Sequence, residues 1–174
     1  MYTLPFKSED KIIELGGGRK PLYHPNVDIR NLSNVDLVVD FNSSLPIPND
    51  YYDGLFCRYA LEHISWRKVR FFISECHRIL RSEGIAIFVT ANLLEQARVL
   101  VSSPADKWND NLIGMIFGGQ DYEENAHQCG FSPEYLKKNL REIGFDNIKI
   151  SSIYSDFGPT DMIIECIKGG RNEH

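Results

Sequence analysis

The stretch "IIELGGGRKPLYHPNVDIRN", residues 12–31, decides the fold of this chain. An apolar run ends at Leu15 and is followed by three consecutive glycines, and a second short apolar run ends at Asp28. Short apolar runs bounded by turn residues are typical of strands that are buried on both faces of a parallel sheet. The stretch therefore predicts two neighbouring strands, with bare backbone after the first and a carboxylate at the end of the second.

Composition predicts an ordinary globular protein with a single domain spanning residues 1–174. Of the 174 residues, 43% are hydrophobic and 25% are charged, and no apolar run is long enough to span a bilayer. The four cysteines are widely spaced without a C-x-x-C pair, which favours reduced thiols and a cytoplasmic location. The net charge of −5 argues against a nucleic-acid partner, because such binding depends on clustered Lys and Arg.

Further strand-like runs continue the pattern along the chain. Five runs rich in Ile, Val and Phe predict parallel strands over residues 11–15, 26–29, 36–41, 52–59 and 84–91. Residues 147–154 and 161–168, joined by "SDFGPT", predict an antiparallel pair that closes the chain. The expected fold is an α/β, Rossmann-like, doubly wound sheet of seven strands, mostly parallel, with the antiparallel pair at its C-terminus.

Two helices are indicated by apolar spacing and by their end signals. In residues 65–84 the apolar side chains recur every three or four positions, with Ser65 as the expected N-cap and Gly84 just past the end. In "SPEYLKKNLREIGF", Ser132 is the expected N-cap, Pro133 the first helical residue and Gly144 the stop.

The glycines and Asp28 together predict a nucleoside-containing ligand. Ligands of open α/β sheets bind at the carboxyl ends of the strands, where Gly16, Gly17 and Gly18 would let a ligand approach the backbone. Asp28, at the next strand end, can accept two hydrogen bonds from a ribose diol. The alternative for either feature taken alone is a glycine turn with a capping aspartate.

The spacing disfavours a dinucleotide. The dinucleotide fingerprint requires a third glycine where Pro21 stands and an acidic residue about 20 positions further on, whereas Asp28 arrives much earlier. Residues 19–25 are too few for a crossover helix, so the helix N-terminus that would bind a pyrophosphate is missing. After the third strand, Asp40 can accept the hydrogens of an adenine amine, although a loop-capping role is its alternative, and Phe41 offers an apolar wall.

These motifs resemble those of class I S-adenosylmethionine-dependent methyltransferases, in particular small single-domain members often encoded with sugar or cell-surface biosynthesis enzymes. The resemblance covers nearly the whole chain. "ELGGG" is similar to the glycine motif, "NVDIR" to the ribose motif, and "VVDFNSSLPIPNDYYDGLFCRYALEHI" to the adenine loop and fourth strand. It implies S-adenosylmethionine as cofactor and the strand order 3-2-1-4-5-7-6.

The resemblance also implies roles for the first two strand ends. Glu14 would lie under the methionine end of the cofactor and order the glycine loop, and residues 16–18 would pass beneath the aminocarboxypropyl arm. Asp28 would hold the ribose hydroxyls, with Ile29 packing against the adenine. Lys20 stands where many members have a further glycine, and the short first crossover implies a more open cofactor mouth.

At the third and fourth strand ends the same resemblance assigns five more residues. Asp40 and Phe41 would meet the edge and the face of the adenine. The backbone of Cys57, Arg58 and Tyr59 would face the sulfonium and the methionine ammonium. The Arg58 side chain would bind an anionic substrate group or, alternatively, form a structural ion pair with Asp53 or Glu62.

Two histidines are candidate general bases, because histidine is the side chain best suited to accept a proton near neutral pH. His63 follows the fourth strand and His127 lies in the polar loop after the fifth, with backbone hydrogen bonding and ordinary loop exposure as the respective alternatives. His77 is expected to be a packed helix residue. His127-x-Cys129 lacks a second ligand pair in the sequence, so no metal site is expected.

The sequence therefore favours a methyltransferase acting on an oxygen or nitrogen of a small-molecule or saccharide acceptor. The alternatives are a silent module that binds the cofactor without turnover and an NAD-dependent oxidoreductase. A nucleic-acid substrate is disfavoured further, because "CRYA" stands in place of the Asn/Asp-Pro-Pro-aromatic signature that nucleic-acid methyltransferases use to hold a base nitrogen. The aromatic-rich segment 93–131 suits a mobile flap, and about ten residues before the first strand leave no N-terminal lid. We expect an acceptor site that is open, completed by a second subunit of a homodimer, or shaped for a large acceptor.

Overall fold

The computed structural model describes residues 3–156 and 158–169. Seven strands form one sheet in the order β3-β2-β1-β4-β5-β7-β6, which confirms the predicted topology. Strands β1 to β5 are parallel to one another, and β7 runs antiparallel to both β5 and β6. The strands are β1 (Ile12–Leu15), β2 (Asn26–Asp28), β3 (Leu37–Val38), β4 (Tyr52–Arg58), β5 (Leu80–Ala91), β6 (Phe145–Ser155) and β7 (Gly158–Lys168).

Four α-helices accompany the sheet, namely α1 (Val69–Ile79), α2 (Leu93–Ser102), α3 (Asp110–Phe117) and α4 (Pro133–Ile143). Single 3₁₀ turns cover Leu61–His63, Ala105–Lys107 and Glu123–Asn125. None of the helices in the described part of the chain is long and apolar enough to cross a membrane.

The end signals of α4 are confirmed. The Ser132 hydroxyl accepts a hydrogen bond from the backbone N–H of Tyr135 at 3.3 Å, and Pro133 is the first helical residue. Gly144 ends the helix with φ +115°, a left-handed conformation that glycine adopts without a Cβ penalty.

The predicted end of α1 is wrong. The helix ends at Ile79, and the chain passes directly into β5, so that Gly84 lies inside the strand. The left-handed residue is Glu83, with φ +64°, next to an irregularity in the pairing of β4 with β5. The polar residues before Gly84 resemble a helix end in sequence, but they form the exposed beginning of a long strand. At the other end, Ser65 accepts the N–H of Arg67 at 3.4 Å and starts the turn that leads into the helix.

The two faces of the sheet are covered differently. Helices α1 and α4 pack on one face, where Phe72 and Leu136 join the inward side chains of β4 and β5 in the main core. On the other face Phe56 contacts Tyr23 edge to face, and Tyr23 contacts Phe6 in the same way. Residues 16–25, all of them described, form turns and no helix, which confirms the truncated first crossover.

Candidate functional site

A hydrogen-bonded turn joins the carboxyl ends of β1 and β2. The backbone N–H groups of Gly16, Gly17 and Gly18 donate to Val27 O at 2.7 Å, Asn26 Oδ1 at 3.1 Å and Asp28 Oδ2 at 3.0 Å. Gly16 has φ +80°, and a Cβ at this position would lie 2.6 Å from the Cβ of Ala60. Only glycine fits there, so the first strand end presents bare backbone as the sequence predicts.

Asn26 organises this turn, and the sequence analysis missed it. Its side chain is 0% exposed, and its Nδ2 donates to Gly18 O at 3.1 Å and to Asn34 O at 2.7 Å. Together with the bond from Gly17 it fixes both sides of the glycine turn. The sequence did contain a signal for Asn26, because it is a polar residue at the start of a buried strand. In the structure it pairs with Glu14 on β1.

Glu14 holds the short crossover rather than the glycine turn. Its Oε2 accepts from the N–H groups of Leu22 at 2.5 Å and Tyr23 at 2.8 Å. Burial raises the pKa of this carboxyl, and its Oε1 is buried without a partner in the described part of the chain. The hydrogen bonds of Glu14 therefore reach the crossover, and both its ordering of the glycine loop and its place under the methionine end remain predictions.

A cleft opens above the ends of β1, β2 and β4. Its walls include six of the residues predicted for the cofactor, namely Gly16, Asp28, Ile29, Asp40, Phe41 and Tyr59. The structure thus brings together residues from four separate parts of the chain at one strand edge. This is the location at which open α/β sheets bind their ligands.

The remaining predicted cofactor residues do not line this cleft. Gly17, Gly18 and Glu14 are not among its lining residues, and the Cys57 thiol is buried in the main core. The Arg58 guanidinium donates to Lys20 O at 3.3 Å and pairs with neither Asp53 nor Glu62, since Asp53 pairs with Arg81. The backbone roles proposed for residues 57 and 58 stay predictions.

Arg30 holds the Asp28 carboxylate in place. Asp28 is 4% exposed, and its Oδ1 accepts from the backbone N–H of Arg30 at 2.9 Å and from its Nε at 3.3 Å. The guanidinium lies 4.5 Å above the ring of Tyr122, which also lines the cleft. Arg30 is the last residue of "NVDIR", but nothing in its spacing indicated that it would pair with Asp28.

At the end of the cleft near Asp40, an acceptor oxygen is without a partner within the described residues. Asp40 Oδ1 accepts from the backbone N–H of Asn42 at 2.8 Å and from its Nδ2 at 2.9 Å. The Oδ1 of Asn42 is buried and has no partner within the described residues. Phe41 forms an apolar wall and stacks on Phe72, with ring centres 4.7 Å apart. A buried acceptor beside an aromatic wall fits an adenine with its exocyclic amine.

A second cavity of about 720 Å³ lies beside the cleft, and Tyr59 and His63 line both. Tyr59 has φ +50°, an uncommon conformation for an aromatic residue, and its hydroxyl donates to Asp161 Oδ2 at 3.1 Å. Burial, with the neighbouring Asp161 charge, raises the pKa of Tyr59 to about 12. Its phenol therefore stays protonated and holds Asp161 at the cavity wall.

The structure brings the two candidate bases into contact. The rings of His63 and His127 lie edge to face with centres 4.9 Å apart. Each Nδ1 lies 3.2 Å from a backbone carbonyl oxygen, that of Ala126 for His63 and that of Ile116 for His127. Burial lowers the pKa of both imidazoles, so both are neutral at pH 7. The contact between them was not predicted.

Glu62 completes this group and was also missed as a site residue. Its carboxylate is 2% exposed and accepts from the Thr90 hydroxyl at 2.8 Å. Burial raises the pKa of Glu62 to about 7. His77, by contrast, packs edge to face against Phe145 at 5.0 Å, in agreement with a packing role.

The loop after α3 contributes to both cavities. Tyr122, Glu124 and Gln128 line the cofactor cleft, whereas Asn125 and His127 line the second cavity. The segment proposed as a flap is therefore positioned over the two sites, and its mobility remains a prediction.

Comparison with known proteins supports the class of the fold. Residues 24–88 match a family model described as a methyltransferase domain. No curated protein matches the chain significantly.

Solved structures with low sequence identity share the fold. A SAM-dependent methyltransferase from Thermotoga maritima, described as a possible histamine N-methyltransferase, is 16% identical, with a TM-score of 0.64 over 92% of this chain and 83% of that one. A SAM-dependent methyltransferase from Archaeoglobus fulgidus is 17% identical, with a TM-score of 0.63 over 90% and 85%. Phosphoethanolamine N-methyltransferase 2 from Haemonchus contortus, solved with S-adenosyl-L-methionine, is 10% identical, with a TM-score of 0.67 over 95% and 50%.

The seven-stranded sheet is the fold shared with these methyltransferase structures, and residues 24–88 match the methyltransferase-domain model, in agreement with the resemblance found in the sequence. The Haemonchus contortus structure was solved with S-adenosyl-L-methionine, which makes this molecule the candidate cofactor for the cleft. The bare backbone at Gly16 and the unpaired acceptor on Asn42 fit that molecule.

Proposed function

We propose that this protein transfers a methyl group from S-adenosylmethionine to an oxygen or nitrogen of a small-molecule or saccharide acceptor. The observation that carries the proposal is the shared wall of the two cavities. Tyr59 and His63 face the cofactor cleft on one side and the second cavity on the other. An acceptor in the second cavity would therefore meet the cofactor at these two residues.

In this proposal the cleft binds the adenosyl part of the cofactor. Asp28, already oriented by Gly18 and Arg30, accepts the ribose hydroxyls. Ile29 and Phe41 sandwich the adenine, and Asp40 or Asn42 accepts its amine hydrogens.

The methionine part follows the glycine turn in the same arrangement. Residues 16–18 leave room for the aminocarboxypropyl arm, with Glu14 beneath them. The backbone of Cys57, Arg58 and Tyr59, at the end of β4, faces the sulfonium and the ammonium.

The chemistry needs positioning and removal of one proton. The bound cofactor supplies a methyl carbon on a sulfonium, which is a good electrophile. Alignment of the acceptor in line with this carbon can supply several kcal/mol of the barrier. His63 or His127 then accepts the proton of a hydroxyl or an ammonium, because both imidazoles are neutral when the acceptor arrives.

The charge of the second cavity supports a small polar acceptor. Its lining includes Glu62, Asp161 and Asp110 together with polar groups such as Gln96, and no Lys or Arg is among its described lining residues. A nucleic-acid phosphate backbone would be repelled there. The described residues form one sheet with one main core, which supports a single domain over residues 1–174.

We also infer a cytoplasmic protein, because its cysteines are free, and a homodimer as one way to complete the acceptor site. Light scattering in solution measures the oligomeric state. A monomer that methylates its acceptor would exclude the need for a second subunit.

Methyl transfer with labelled cofactor tests the proposed function. The protein and radiolabelled S-adenosylmethionine at low concentration are incubated with fractionated small-molecule extracts, with Asp28→Asn as the matched variant of weakened cofactor binding. We expect label in an extract component with the native protein and much less label with the variant. Binding of S-adenosylhomocysteine without transfer into any fraction would indicate the silent module, whereas preferential binding of NADH would indicate the oxidoreductase.

A further inference from the structure

Three side chains of metal-ligand type converge at the second cavity. Glu62, His63 and His127 each offer one ligand atom, and these atoms all lie within 4.8 Å of one another. Glu62 and His63 belong to the 3₁₀ turn after β4, and His127 comes from the loop after α3. The tertiary fold therefore assembles a set of ligands that no spacing in the sequence reveals.

The hydrogen bonds of the two imidazoles to backbone carbonyls use one ring nitrogen of each, Nδ1. A backbone carbonyl oxygen only accepts hydrogen bonds, so the Nδ1 atoms of His63 and His127, 3.2 Å from Ala126 O and Ile116 O, carry the protons. Each Nε2 then has a lone pair. Metal-binding histidines are commonly oriented by this kind of bond from the other ring nitrogen to a carbonyl.

Among the residues that the structure describes, the Glu62 carboxylate has no cationic partner. It is 2% exposed, it accepts from the Thr90 hydroxyl, and no ion pair among the described residues involves it. Burying a carboxylate without a compensating charge is unfavourable. A cation bound beside the two imidazoles would supply that charge.

We propose that Glu62, His63 and His127 bind a divalent first-row transition-metal ion, such as Zn²⁺ or Mn²⁺, with its open coordination positions directed into the second cavity. Two imidazoles and one carboxylate form a ligand set that such ions use at catalytic sites with free positions for substrate. The expectation of no metal rested on sequence spacing, which could not show that His127 reaches the turn after β4.

The role of the ion rests on the proposed function. An acceptor hydroxyl that coordinates the ion becomes more acidic and releases its proton to solvent. Its oxygen then bonds to the cofactor's methyl carbon while the carbon–sulfur bond breaks, giving a methyl ether and S-adenosylhomocysteine. When the ion is bound, His63 and His127 serve as its ligands and do not accept the proton of the acceptor hydroxyl. The ion promotes loss of that proton instead.

Metal binding by the whole chain is the direct test. Protein freed of metal by chelation is titrated with Zn²⁺ in a calorimeter and with Co²⁺ by visible absorption, which reports the ligand geometry. We expect saturation at one ion per chain, and affinity at least about tenfold weaker in Glu62→Gln and in His127→Asn. His24→Asn, which removes an exposed histidine paired with Asp36, is the matched control and should bind like the native protein.

The possible results distinguish the metal site from the proposed methyltransferase activity. Absence of saturable binding, or equal binding by the native protein and both folded variants, overturns the metal site. Circular dichroism of the metal-free variants checks folding, and His63→Asn replaces any variant that fails this check. Full methyl transfer by chelated protein overturns the role of the ion but leaves the methyltransferase intact. Binding of one metal ion per chain without methyl transfer to any acceptor would support the metal site and contradict the proposed function.

Discussion

The backbone N–H of Gly18 donates to Asp28 Oδ2 at 3.0 Å, and this bond ties the turn after β1 to the last residue of β2. Arg30 holds the other oxygen of the same carboxylate. Asp28 is therefore oriented by the protein before any ligand binds, and a preorganised acceptor binds a diol without an ordering cost.

Asp28→Asn tests the ribose assignment. Loss of the charged acceptor should weaken binding of S-adenosylhomocysteine by about 1.5–3 kcal/mol, the scale of hydrogen bonds to charged groups. Isothermal titration calorimetry measures the change, with Asp106→Asn, an exposed aspartate outside both cavities, as the control. Unchanged affinity in a folded Asp28→Asn protein would refute the assignment.

Gly16→Ala should destabilise the domain. Its positive φ and the close approach to Ala60 leave no room for a methyl group, so we expect a loss of about 1–3 kcal/mol in the free energy of unfolding. Gly114→Ala is the matched control, because a Cβ there meets nothing within 4 Å inside α3. That control should gain up to about 1 kcal/mol. Urea denaturation compares them, and equal stability of the two variants would contradict the prediction.

Asn26→Ala should loosen the glycine turn. Its buried amide makes hydrogen bonds with Gly17, Gly18 and Asn34, and removing it leaves those groups unsatisfied at a cost of about 1–3 kcal/mol. Asn34→Ala removes one exposed side-chain bond, to Arg19 O, and should cost far less. We expect thermal unfolding and S-adenosylhomocysteine affinity to fall together in Asn26→Ala. A drop in neither would show that Asn26 does not organise the site.

His77 should make the domain less stable in mild acid. Burial, with help from the Lys168 charge, lowers the pKa of His77, while Asp50 acts in the opposite direction. The unfolded chain protonates this histidine at about pH 6.5 and below, so stability falls as the pH drops from that value to the lower folded pKa.

The pH dependence is measured with His77→Gln. Between pH 7 and 5.5 the melting temperature of this variant should fall less than that of the native protein. His24→Gln, at an exposed histidine, controls for the substitution itself. Parallel curves for the native protein and His77→Gln would contradict the prediction.

The strands, the glycine turn, the position of Asp28 and the missing first crossover helix could be predicted from local sequence patterns, whereas the strand order came from the family resemblance. The end of α1 could not, since "RSEG" has the composition of a helix end but lies inside β5, between the pairs Tyr52–Leu80 and Gly54–Ile85. The sequence also did not predict the roles of Asn26 and Arg30 or the contact of His127 with His63. Each depends on which side chains meet in the folded chain. Periodicity reports which face of an element is buried, and it does not report which side chains meet.

Tyr59 forms part of the wall between the two cavities and adopts an uncommon backbone conformation. A ligand that displaced its ring from one side would change the shape of the cavity on the other side, and binding of the two ligands would then be coupled. Linkage makes such coupling reciprocal: an acceptor raises affinity for the cofactor by the same factor as the cofactor raises affinity for the acceptor. S-adenosylhomocysteine that remains bound would then keep the second cavity in its ligand-bound shape. The turnover rate would depend on how quickly S-adenosylhomocysteine dissociates.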